Sequence, residues 1–119
     1  MKTSELIGAQ LDYAVARVIA LGTDQLRVNG GKVFIKNCDD LILCQFSSDW
    51  AQGGPIIDRE GTFRILGPKV KGTADYVARM PDGINDWHEQ YGRTALVAAM
   101  RCFVASRLGD EVEIPEEMT

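Results

Sequence analysis

At 119 residues, 45% of them hydrophobic and 25% charged, the chain has the size and composition of one ordinary globular domain spanning residues 1–119, which excludes a disordered segment or a collagen-like repeat. Three cysteines at unpatterned spacing, Cys38, Cys44 and Cys102, and a single histidine, His88, supply neither a disulfide framework nor the ligand set of a structural zinc, so no metal is expected. The net charge of −4 argues against sequence-independent nucleic-acid binding, which draws on a large basic surplus.

The chain opens Met1-Lys2-Thr3-Ser4-Glu5, without the basic and apolar pattern of a signal peptide. No apolar run has the length of a membrane span, so a cytoplasmic protein is expected. The first element is a helix predicted from about Thr3 to Leu21. Thr3 supplies an N-cap, Glu5 suits the positive end of the dipole, and Gly22 suits the left-handed C′ position. Ile7, Leu11, Ala14, Val18 and Leu21 recur at spacings of four and three as one buried stripe, with Gln10, Asp12 and Arg17 on the opposite side.

Strands follow. Gln25 to Val28 and Lys32 to Lys36 flank Asn29-Gly30-Gly31, where glycines permit the positive φ angles of a tight hairpin. Leu41 to Phe46 reads as a central strand with Cys44 as an inert core thiol. Thr62 to Leu66 and Ala74 to Met80 bracket Gly67-Pro68 and Gly72 as a second hairpin. With no helix between these strands, the fold class is α+β: a small antiparallel sheet of about four to five strands packed on two main helices. The second helix is predicted from Thr94, its N-cap, to Leu108, with Gly109 at C′. It is apolar almost all round, so it belongs in the middle of the domain, with Cys102 buried. A short acidic tail follows from about residue 110, holding Asp110, Glu111, Glu113, Glu116 and Glu117, and is expected to be solvated. A basic stretch, Arg64, Lys69, Lys71 and Arg79 against only Asp75, reads as a solvated hairpin.

Two polar loops carry the candidate site residues. In the first, Asp49, Trp50, Gln52, Gly53 and Gly54 combine an acid, a stacking face, an amide fork and two glycines that admit a ligand to the backbone, while Pro55 opens a short helix through Glu60. The spacing matches neither a P-loop nor a dinucleotide fingerprint. The second loop, Pro81 to Gly92, holds Asp86, Trp87, His88 and Glu89. Its residue types suit acid–base work, but no serine or cysteine nucleophile is tied to them by spacing, and no catalytic residue is assigned. Asp49, Trp50, Gln52 and Trp87 are expected to share one exposed or cleft-lining surface, because tryptophans in polar loops often serve binding.

The runs DWAQGGPIID at 49–58, YGRTALVAAMRCFVASRLGDEVEIP at 91–115 and TSELIGAQLDYAVARV near the N-terminus resemble the NinX-like family of small phage and prophage proteins. The resemblance implies an accessory phage protein and brings no catalytic residue with it. The family pattern tends to carry proline where this chain has Arg93 and Ala95, and position 95 would then be a helix N1 site. The leading functional reading is a non-enzymatic module, without cofactor, that binds a host or phage protein. The alternative is a small-molecule or nucleotide-binding protein, enzymatic or not, using the DWAQGGP loop. A third reading, an acidic decoy for a nucleic-acid-binding protein, rests on the tail alone.

Overall fold

The computed structural model describes residues 1–20, 25–37, 40–60, 64–67, 75–81 and 87–118. Among them the architecture is α+β, but the strands form two separate three-stranded antiparallel sheets and not one sheet of four to five. Three helices, not two, accompany them. The first sheet orders β1 (Leu26–Asn29), β2 (Lys32–Asn37) and β3 (Asp40–Leu43); the second orders β4 (Arg64–Leu66), β5 (Tyr76–Pro81) and β6 (Trp87–Gly92). The helices are α1 (Gly8–Ile19), α2 (Trp50–Glu60) and α3 (Ala95–Leu108).

The first hairpin closes as its sequence predicts. Asn29 pairs with Lys32, and the two loop residues, Gly30 and Gly31, take φ of 62° and 75°, the left-handed angles of a turn that follows strand twist. β3 is an edge strand and not the central one, and it ends at Leu43, although Cys44 stays buried just beyond it. In the second sheet β4 and β5 form the expected hairpin, while Thr62, Phe63 and the connecting residues 68–74 lie outside the described residues. The polar run from Trp87 to Gly92, read as loop, is instead β6, paired along its length with β5.

α3 is the central element. It packs on β5 and β6 on one side and on α1 and α2 on the other. Leu96, Ala98, Ala99, Met100, Cys102, Phe103, Val104 and Ala105 are all buried, as an all-round apolar helix requires. Thr94 caps it, its hydroxyl accepting from the Val97 amide at 3.0 Å. A smaller second core, Ala16, Leu26, Val33 and Cys44, joins α1 to the inner face of the first sheet, and Phe46 touches both cores.

The N-terminal helix breaks its predicted outline. Thr3–Glu5 is a single 3-10 turn, Ile7 is extended at φ −141° and ψ 159°, and Gly8, where α1 begins, takes φ 54°. Thr3 caps nothing. It is fully buried, its hydroxyl donates to the Gly109 carbonyl at 2.7 Å and its amide to the Asp110 carbonyl at 2.8 Å. This tertiary anchoring pulls residues 1–7 off the helix axis and turns Ile7 outward instead of into the stripe. Leu21 and Gly22 lie outside the described residues. The acidic tail is also held. Its acids point outward, but Val112 is buried, Ile114 packs on the main core and Met118 on the second.

Candidate functional site

α2 starts at Trp50, five residues before the proline expected to open it, and Pro55 sits inside the helix. Asp49 explains the early start. Its Oδ1 accepts from the Ala51 amide at 2.9 Å, and its carbonyl accepts from the Gln52 and Gly53 amides, so it is an N-cap. Gln52 reaches back to the end of β3: Nε2 donates to the Leu43 carbonyl at 2.8 Å, and Oε1 accepts from the Gln45 amide at 2.7 Å. The β2–β3 pairing turns the polar groups of Leu41 and Leu43 to the open edge, so the Gln52 amide stands where a neighbouring strand would bond.

Gly53 is a close-approach site. A Cβ there would lie 2.5 Å from the Phe46 carbonyl oxygen and 2.6 Å from Leu96 Cδ1, so the helix–helix contact occupies the room a ligand would need. Gly54 meets only the Trp50 ring at 3.7 Å. Three of the five candidates in this segment therefore have structural duties.

Trp50 itself is 55% exposed. It overhangs a cavity of about 340 Å³ lined also by Gly8, Ser47, Thr94, Leu96 and Val97. The beginnings of all three helices meet here. A second hollow of about 300 Å³ shares Val97 and runs to Ile7, Asp75, Arg93 and Arg101. Ile7 is 60% exposed. Arg101 holds the hollow open: its Nε donates to the Leu6 carbonyl at 2.8 Å and its Nη1 to the Tyr91 carbonyl at 2.6 Å. Burial pulls its guanidinium below the ordinary value, and Asp75 pulls the other way. A third hollow, of about 200 Å³, shares Gly8, Ser47 and Ser48 and is floored by Asp12. Asp12 is buried, against the expectation of a polar helix face, and accepts from the Ser47 amide at 2.8 Å. Burial raises its carboxyl above the ordinary range, and the Ser47 hydrogen bonds draw it partly back.

The chain's family follows from its sequence. The family model described as "Bacteriophage P22, NinX" matches residues 2–107, a span that covers both sheets, α1, α2, all of α3 but its last residue, and the hollows just described. The chain belongs to the bacteriophage P22 NinX family. A search among curated proteins finds no match. Within this NinX-family fold the match stops one residue before Leu108, so the anchored tail falls outside it.

The other candidates sit elsewhere. Trp87 begins β6 opposite Pro81, 52% exposed on the outer face of the second sheet. Two residues on, Glu89 accepts from Arg79 Nε at 2.7 Å and from the Tyr91 hydroxyl at 3.0 Å. His88 lies on the opposite face, beside Met80 and toward α3, and its carbonyl accepts from Cys102 Sγ at 3.2 Å. Asp86 and Cys38 lie outside the described residues. None of the three hollows described above includes Trp87 or His88 among its lining residues. Both described thiols are buried and pushed up by desolvation, Cys44 to about 11 and Cys102 to about 12, which keeps them protonated and poor nucleophiles. No group of three or more His, Cys, Asp or Glu able to hold a metal occurs among the described residues, and no helix there is long and apolar enough to cross a membrane. Sequence reasoning missed Ile7 and Arg101. Ile7 sat on a helical stripe that the backbone abandons. Arg101 did carry a signal, as the only charge between Ala95 and Ser106.

Proposed function

We propose that residues 1–119 act as one domain in the host cytoplasm, a phage accessory protein that binds a protein partner without catalysis. The cleft between Trp50 and Ile7 receives a partner segment with an apolar side chain followed by a carboxylate. The carrying observation is the exposure of these two large apolar residues beside hollows that share Val97 and end at Arg93 and Arg101. Exposed aromatic anchors next to shaped apolar recesses are the usual energetic centres of interfaces, and arginines at the rim pair with carboxylates. The small-molecule alternative loses its main physical argument, since Gly53 packs against Leu96 and the Gln52 amide is spent on Leu43 and Gln45.

Affinity capture from phage-infected host lysate tests this reading. Trp50→Ala and Arg93→Glu should lose a partner that wild type and Trp87→Ala both retain, with the melting temperature kept. Equal capture by all four proteins, or loss only with Trp87→Ala, refutes it.

A further inference from the structure

The outer face of β1-β2-β3 is a second surface, independent of the Trp50 cleft. The two registers set Arg27, Phe34 and Leu43 side by side across the three strands. Lys32 and Lys36 stand two residues either side of Phe34 on the middle strand, opposite Asn29 and Leu41 respectively. The described residues of this face thus include three bases and no acid, in a chain whose net charge is −4. Phe34 is half-buried, Lys32 and Lys36 are exposed, and Leu41 is 59% exposed. A concavity of about 540 Å³ opens on it, lined by Arg27, Val28, Asn29, Phe34, Lys36 and Leu41.

We propose that this face binds single-stranded DNA, with a base stacked on the Phe34 ring and its flanking phosphates met by Lys32 and Lys36. Residues two apart on a strand share a face at a separation of about 6.7 Å, so a base on the ring has a cation on each side of it along β2. Charge complementarity selects a polyanion, and the ring at the centre of the concavity selects one that offers flat faces. A duplex hides those faces in its stack, and an acidic polypeptide offers the lysines their counter-charge without filling the ring's surface. Leu41 on the same face suits deoxyribose and a thymine methyl, whereas a ribose 2′-hydroxyl against it would find no hydrogen-bond partner. The acidic tail lies on the other side of the sheet, where Met118 packs against the core of Leu26, Val33 and Cys44. The small number of cations makes the binding weak and strongly dependent on salt.

Fluorescence anisotropy with a labelled twelve-residue oligothymidylate, titrated at several salt concentrations, tests the proposal. Wild type should bind with a log–log salt slope of about −1.4, as two phosphate contacts on a single strand predict. Phe34→Leu should weaken binding by about tenfold at unchanged slope, the signature of a lost stack. Lys36→Gln, at an exposed position, should weaken it and flatten the slope by about 0.7. Thermal melting of both variants checks that the fold is kept. Absence of binding at low salt, equal binding by wild type and Lys36→Gln, or tighter binding of the matching duplex, oligouridylate or polyglutamate overturns it.

Discussion

Adjacent residues of the same type carry unequal consequences in α2. Gly53 has no room for a side chain, with the rigid Phe46 carbonyl 2.5 Å from its would-be Cβ. Gly54 meets only ordinary contact from the rest of the fold. Gly53→Ala should therefore destabilise by about 1–3 kcal/mol, as overpacking does, while Gly54→Ala should change stability by less than about 1 kcal/mol, since the gain in helix propensity is offset by a Cβ set against the Pro55 ring in a helical residue before proline. Urea unfolding midpoints should place only Gly53→Ala well below wild type. Asp12 makes the second prediction at this scale. Its folded carboxyl is raised above the ordinary carboxylate value, so the native state holds its proton more tightly than the unfolded chain does. The sign follows: this group's contribution to stability is full below the unfolded value and is lost as pH rises through the folded one. Asp12→Asn keeps an oxygen for the Ser47 amide and removes that loss. The variant should match wild type in strong acid and gain on it as pH rises above about 4, with melting temperatures across the pH range as the check.

At the scale of elements, α3 decides the fold and its start is open to improvement. Phe103 is fully buried at its centre, so Phe103→Ala should cost about 3–5 kcal/mol. Ala95 is the first residue of the helix, after a Thr94 that is extended at φ −125° and ψ 158°. That is the backbone a residue before proline prefers, and an N1 amide owes no intrahelical bond. Ala95→Pro should thus keep stability or raise it by up to about 1 kcal/mol, mostly by restricting the unfolded chain. Chemical denaturation of the two variants should place them on opposite sides of wild type, or Ala95→Pro level with it. The helices and the first hairpin were legible because their signals are local: an apolar period, a capping threonine and two consecutive glycines. β6 was not, because Trp-His-Glu-Gln-Tyr has no apolar alternation. It is a strand through pairing with β5 and because His88, Gln90 and Gly92 turn toward α3.

For the whole molecule, the two ends of the chain close on each other. Lys2 and Glu111 form an antiparallel backbone β-bridge, the Met1 ammonium donates to the Val112 carbonyl, and Gln10 Nε2 donates to the Met118 carbonyl. Removing residues 110–119 should cost on the order of 3 kcal/mol, from the burial of Val112 and the partial burial of Ile114 and Met118. Glu113→Gln and Glu117→Gln, at exposed positions, should leave the unfolding midpoint almost unchanged. Comparing the truncation with the paired neutral variants separates the tail's apolar anchoring from its charge.

The α+β class, the central burial of α3, the Asn29–Lys32 hairpin, the buried thiols and the family were all readable from residue order, since each depends on neighbours in the chain or on the pattern as a whole. That the strands divide into two sheets, that Thr3 anchors the C-terminal segment instead of capping a helix, and that Asp12 is buried came from packing between segments distant in the chain. Packing likewise turned Asp49, Gln52 and Gly53 into supports and left Trp50 exposed over a hollow that adjoins the one lined by Ile7. The physical reason is common to all of these. A polar side chain or a glycine can satisfy its bonds or its space requirement in several ways, and which partner it takes depends on groups brought near by packing, at separations along the chain that local pattern does not encode.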